Sequence, residues 1–84
     1  MSVEVRMMTA AGCHLCDEAH DLLEAARAEL GFDLVEVDIT GDPDLEAEYR
    51  EQIPVVYVAG RKAFKYRVDP AELRRRVVAA TSAA

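Results

Sequence analysis

The chain has 84 residues, so it reads as one domain spanning residues 1–84, and a domain of this size buries only about 60–65% of the surface its unfolded chain exposes. Hydrophobic residues make up 51% of it, with no Gly-, Ser- or Pro-rich segment, which argues against a disordered chain. The net charge of −6 conceals a split: Asp17 to Gln52 holds 13 acids against Arg27 and Arg50, while Arg61 to Arg76 holds seven bases against Asp69 and Glu72. Such an acidic half makes nucleic acid a poor partner, and the basic part reads first as a solvated face, with steering of an acidic protein or an anionic small thiol second.

No apolar run approaches a membrane span, and the opening stretch carries Glu4 and Arg6 without a small-residue cleavage pattern. Neither a membrane partner nor a secretory signal is expected, and a cytoplasmic location is the default. In that compartment a lone Cys-x-x-Cys is more often redox-active or metal-binding than structural. The chain has one such pair, Cys13 and Cys16, its only cysteines.

Val3 to Met8 alternates and then turns continuously apolar, predicting a strand that enters the core at its C-terminal end. Thr9 to Gly12 is the strand-to-helix turn. Leu15, Ala19, Leu22, Leu23, Ala26 and Leu30 then mark one face of a helix from about Cys13 to Leu30, with Gly31 as its C-cap.

This places Cys13 at the N-cap or first turn, where its sulfur faces unpaired backbone N–H groups. Half a positive charge about 4 Å away, at an effective dielectric near 20, favours the thiolate by about 2 kcal/mol, enough to bring a thiol from about 8.5 toward 7. Cys13 is therefore the expected nucleophile, although Asp17 and Glu18 partly oppose its ionisation. A disulfide to Cys16 closes too short a loop to remove much chain entropy, so a structural staple is the weaker explanation. On a regular helix the two Cβ atoms sit about 5–6 Å apart against about 3.5–4.5 Å in a relaxed disulfide, so the bond belongs at a helix start and should stay reducible.

His14 adds positive charge beside Cys13 at mildly acid pH, against the plainer alternative of a solvated first-turn histidine. His20 shares a stripe with Cys13 and Cys16, but a closed zinc site needs four ligands and no second cysteine pair exists. No metal site is expected, and His20 reads as exposed or half-buried.

Phe32 to Ile39 alternates, with Val35, Val37 and Ile39 on one side, as a second strand; strand, long helix, strand makes a parallel βαβ unit. Thr40-Gly41-Asp42-Pro43 supplies a turn, an N-cap and a first-turn proline for an acidic helix ending near Glu51. Val55 to Val58 is a buried third strand, with Pro54 at its first residue. Ala59-Gly60-Arg61-Lys62 reads as a hairpin turn and Ala63 to Arg67 as an antiparallel edge strand. Asp69-Pro70-Ala71-Glu72 combines an N-cap, a first-turn proline and a capping-box acid. The last helix packs through Leu73 and Val77, with Val78 and Ala80 as further candidates, and Thr81 to Ala84 should fray.

With Cys13-His14-Leu15-Cys16 after the first strand, Ile53-Pro54 opening the third and the order β-α-β-α-β-β-α, the sequence resembles the glutaredoxin-like branch of the thioredoxin superfamily. It looks closest to small bacterial glutaredoxin-like proteins with a Cys-His-Leu-Cys-Asp-Glu-Ala stretch. The resemblance implies an α/β fold of three α/β/α layers, with a four-stranded mixed sheet of order 2-1-3-4, the first and last helices on one face and the middle helix on the other. It implies that Cys13 attacks, that Cys16 resolves, and that Pro54 is a cis-proline leaving the backbone of Ile53 free to pair with a disulfide-bearing segment. His14, Leu15, Ile53 and Asp69 are the expected substrate-binding residues.

The chain departs from the glutaredoxin pattern in three places: its middle pair is His14-Leu15, Thr9 to Gly12 carries no base, and Lys65-Tyr66-Arg67-Val68-Asp69 stands where Gly-Gly then Asp usually cradles glutathione. The expected activity is thiol–disulfide exchange on protein substrates by a monomer. No tightly bound cofactor is implied, and glutathione, another small thiol or a flavoenzyme serves as reductant. The alternative from a different class is a module that bridges an iron–sulfur cluster between two copies or binds a partner without redox turnover.

Overall fold

The computed structural model describes residues 2–83 and contains seven elements: β1 (Glu4–Thr9), α1 (His14–Leu30), β2 (Asp33–Asp38), α2 (Pro43–Tyr49), β3 (Val55–Val58), β4 (Arg61–Lys65) and α3 (Pro70–Ala83). The four strands form one sheet in the order β2-β1-β3-β4. β1 pairs parallel with β2 and antiparallel with β3, and β4 closes the edge antiparallel to β3. This is the mixed sheet and element order that the sequence predicts.

Strand alternation divides the core into two layers because successive side chains leave a strand on opposite faces. Val5 and Met7 of β1 and Val56 and Val58 of β3 pack with Ala19 and Leu23 of α1 and Leu73 and Val77 of α3. Their neighbours Met8 and Val55 point the other way, onto Ile39 and Tyr49 with Leu45 of α2. Two helices therefore cover one face and the short α2 the other. Burying a residue such as Leu23 or Leu73, both fully inaccessible, contributes on the order of 1.5–3 kcal/mol.

The helix ends follow their capping residues. Gly31 takes φ 78° beyond α1, and its N–H donates to the Arg27 carbonyl at 2.8 Å. Asp42 accepts from the N–H groups of Asp44 and Leu45 ahead of α2, and Asp69 from that of Ala71 ahead of α3.

Three local expectations are corrected. The hairpin loop is only Ala59-Gly60, because Val58 already faces Arg61 in the ladder; both loop residues have positive φ, 52° and 82°, the signature of a type I′ turn that matches strand twist. β4 thus begins two residues early, and a register shift opposite Val56/Tyr57 absorbs the extra residue. Glu72 does not close a capping box: its carboxylate accepts from Arg75 and Arg76 on its own helix. Finally, α3 continues to Ala83, with the Thr81 hydroxyl donating back to the Val77 carbonyl one turn earlier at 2.9 Å. Ala84 lies outside the described residues.

Candidate functional site at the start of the first helix

Gly12 has φ 76°, a left-handed turn that a residue without Cβ adopts freely, and it delivers the chain from β1 to the first turn of α1. Cys13 is the N-cap, in extended conformation at φ −93° and ψ 109°. Its sulfur accepts the Cys16 backbone N–H at 3.2 Å, and its carbonyl accepts that of Asp17 at 3.1 Å. The helix start thus uses a cysteine sulfur where a serine or aspartate oxygen commonly sits. Cys13 and Cys16 are joined as a disulfide, with Cα atoms 5.2 Å apart, inside the usual range. Cys13 is half-buried, whereas Cys16 is 1% exposed. One sulfur is at the surface and its partner lies behind it.

His14 stands fully in solvent beside Glu18, Nε2 to Oε2 3.3 Å. Leu15 is half-buried and turns into a groove of about 280 Å³ that Ala19, Leu22, Tyr66, Arg67 and Val68 also line, with Glu18 at its rim. His20 reaches across to β2, where Nδ1 lies 2.5 Å from Glu36 Oε1. That hydrogen bond raises the His20 pKa above its ordinary 6.5, against a smaller opposing effect of burial. Among the described residues no group of three or more His, Cys, Asp and Glu side chains is arranged to hold a metal ion.

The sheet register brings the third-strand proline to the same end of the sheet. Met8 faces Val55 across the β1–β3 ladder, so Pro54 lies at the sheet end from which residues 10–12 lead to Cys13. The Ile53–Pro54 peptide is cis, and Pro54 is buried. The backbone of Ile53 is only partly available. Its N–H donates to the Tyr49 carbonyl at 3.1 Å, alongside that of Gln52 at 2.8 Å, because the end of α2 runs on into a further turn whose amides cap the last helical carbonyl. This corrects the expectation of a free Ile53 backbone: among the described hydrogen bonds only its carbonyl is left for pairing.

Asp69 is placed at the N-cap of α3, its carboxylate oxygen engaged by Ala71 N–H at 3.0 Å. The wall of the groove beside Leu15 is built instead by the three residues before it, Tyr66, Arg67 and Val68. Tyr66, expected inside the edge strand, instead follows it. The signal in the sequence was that Lys65-Tyr66-Arg67-Val68-Asp69 stands where glutaredoxins carry Gly-Gly and then Asp.

Three α/β/α layers around a sheet of order 2-1-3-4, with a Cys-x-x-Cys pair at the start of the first helix and a cis-proline ahead of the third strand, define a thioredoxin-like protein. Thioredoxin from Trypanosoma brucei brucei superposes with a TM-score of 0.67 at 19% identity, over 96% of this chain and 76% of that one, a likeness of fold. The model of the glutaredoxin-like domain family (DUF836) matches residues 4–78. The chain belongs to that family. It is 35% identical to the uncharacterized protein Rv0508 of Mycobacterium tuberculosis, over 93% of this chain and 86% of the relative. The X-ray structure of the protein XcR50 from X. campestris aligns with a TM-score of 0.71 and 32% identity, over 95% of this chain and 97% of that one. Family and cysteine pair together support thiol redox chemistry in general.

Proposed function

We propose that this protein is a dithiol–disulfide oxidoreductase that acts on disulfide-bearing proteins. One observation carries this reading: the Cys13 sulfur is the N-cap acceptor of α1, with Cys16 bonded to it from the buried side. Amide donors and the positive end of a helix favour the thiolate over the thiol, and the thiolate is the attacking species.

In the reduced protein, the Cys13 thiolate attacks one sulfur of a substrate disulfide. The substrate S–S bond breaks, one substrate thiolate leaves, and a mixed disulfide to Cys13 forms. Cys16, already within bonding reach, loses its proton and attacks the Cys13 sulfur, expelling the second substrate thiolate. The substrate gains two electrons and two protons, and the protein is left with the Cys13–Cys16 disulfide. A small thiol such as glutathione, or a flavoenzyme-driven dithiol, returns the two electrons. Leu15 and the surface around Pro54 meet the substrate, and the Ile53 carbonyl accepts one backbone hydrogen bond from it. His14, in solvent next to Cys13, adds positive charge when protonated.

The protein works as a monomer in a reducing, cytoplasmic compartment. No helix among the described residues is long and apolar enough to cross a membrane.

The test is dithiol-driven reduction of a model protein disulfide by the wild type, Cys13→Ser and Cys16→Ser. The expected result is turnover by the wild type and background rates for Cys13→Ser. Cys16→Ser should accumulate the mixed disulfide. Equal rates for all three would end the proposal. Iron and visible absorbance in protein purified without air would favour a cluster-bridging role instead.

A further inference from the structure

Tyr66 is the first residue past β4 and takes φ 68°, a left-handed conformation that costs a bulky L-residue roughly 1–2 kcal/mol relative to its ordinary basins. Two hydrogen bonds hold it there. Its backbone N–H donates to the Pro54 carbonyl at 2.9 Å, and its hydroxyl donates to the Glu51 carbonyl at 2.8 Å. Both acceptors belong to the four-residue segment that ends in the cis-proline. Tyr66 therefore grips that segment at its two ends, 51 and 54, and among the described residues the other backbone bonds made inside it are the Gln52 and Ile53 amides given back to Tyr49. Tyr66 is 44% exposed, so burial of apolar surface alone does not account for its place. It also walls two grooves, one shared with Leu15 of the cysteine turn and one on the side of α2, where Glu48, Arg50 and Glu51 lie.

The geometry points to Tyr66 as a positioning residue for disulfide exchange: it fixes the Glu51–Pro54 backbone so that an extended substrate segment meets the Ile53 carbonyl and the Cys13 sulfur together. The inference rests on the oxidoreductase reading above and names what gives that site its selectivity for protein over small disulfides. A small disulfide needs only the sulfur. A protein segment must also lie along the Ile53–Pro54 edge, and an edge ordered in advance spares the binding step the entropy of ordering it.

The test uses three measurements on Tyr66→Phe, which keeps the ring and removes only the hydroxyl, and on Tyr66→Gly, which removes ring and hydroxyl and suits the left-handed backbone. In kinetics, Tyr66→Phe should raise KM for a protein disulfide about three- to tenfold, the worth of one hydrogen bond, with kcat little changed. Its kcat/KM for cystamine should stay within about twofold, since the sulfur is untouched. Tyr66→Gly should share the split and enlarge it. In amide hydrogen exchange, Gln52 and Ile53 should exchange faster in Tyr66→Phe while Val56 in the core of β3 does not; a general loss of stability would move all three together. Tyr66→Phe with an unchanged protein-to-cystamine ratio, or with unchanged exchange at Gln52 and Ile53, overturns the inference. Cys13→Ser is the control for the underlying reading: wild-type turnover in that variant overturns the reading and the inference together, whereas a dead Cys13→Ser beside an unaffected Tyr66→Phe overturns the inference alone.

Discussion

The Cys16 backbone N–H donates to the Cys13 sulfur at 3.2 Å, so the atom that caps α1 is also the atom that the proposed mechanism uses as its nucleophile. Capping and reactivity have the same cause here. A sulfur that accepts an amide hydrogen bond at the positive end of a helix is more stable as an anion, while its neighbour, 1% exposed, gains no such help. The expected outcome in reduced protein is an alkylation midpoint for Cys13 below that of a free thiol. Iodoacetamide labelling against pH, on Cys16→Ser for Cys13 and on Cys13→Ser for Cys16, separates the two sites. Matching ordinary profiles in both variants would count against the cap as the source of activation.

The two-residue hairpin offers a test of backbone strain away from the site. Ala59 sits at φ 52° in a turn position that glycine or asparagine normally fills, because Cβ crowds the carbonyl there. Ala59→Gly should stabilise the protein by about 0.5–1 kcal/mol, the relief being partly offset by the greater freedom of glycine in the unfolded chain. For a domain of this size, that raises Tm by roughly 2–8 °C. Disulfide reduction should be unaffected, and a lower Tm would refute the assignment of strain.

These features differ in how far the sequence announces them. Gly31, Asp42-Pro43 and Asp69-Pro70 act on their immediate neighbours, so the helix ends they set are readable from a few residues. Cys13 is readable for the same reason, since the apolar stripe from Leu15 to Leu30 fixes where the helix must begin. The start of β4 was not readable: Arg61 and Lys62 are polar enough for a turn, and only their ladder partners Val58 and Tyr57 hold them in a strand. Likewise Glu36 meets His20, and Tyr66 meets Glu51 and Pro54, across gaps in sequence that only the packed sheet closes. Local chemistry was legible, whereas partners chosen by the fold were not.

The two-layer core predicts an asymmetry along α3. Leu73 and Val77 are buried beside Leu23 of α1, while Val78 is 50% exposed. Leu73→Ala should therefore cost about 2–5 kcal/mol, transfer and cavity effects together, which is a large share of a small domain's stability. Val78→Ala should change stability by no more than about 0.5 kcal/mol. Urea unfolding of the two variants with unchanged m-values would check both, and equal losses would mean that α3 packs on a different face.

The His20–Glu36 pair ties α1 to the edge strand β2 and should give stability a measurable pH dependence. The Glu36 hydrogen bond holds the His20 pKa above 6.5, with Glu24 and Asp21 acting in the same direction and burial against it. The folded state therefore binds the proton more tightly than the unfolded chain does. It follows that the extra stability is complete below about 6.5 and is lost as pH rises through the folded-state pKa. His20→Gln removes the titration while keeping a polar side chain. Because the pair is solvent-screened, its worth is about 0.5 kcal/mol, or roughly 2–4 °C in Tm. The difference in Tm between wild type and His20→Gln should be greatest near pH 5.5, on the order of one unit below the ordinary histidine value, and should vanish at mildly alkaline pH. Melting curves of both proteins across that range decide it, and a gap that widens with rising pH would show that His20 is held neutral and that Glu36 is not its stabilising partner.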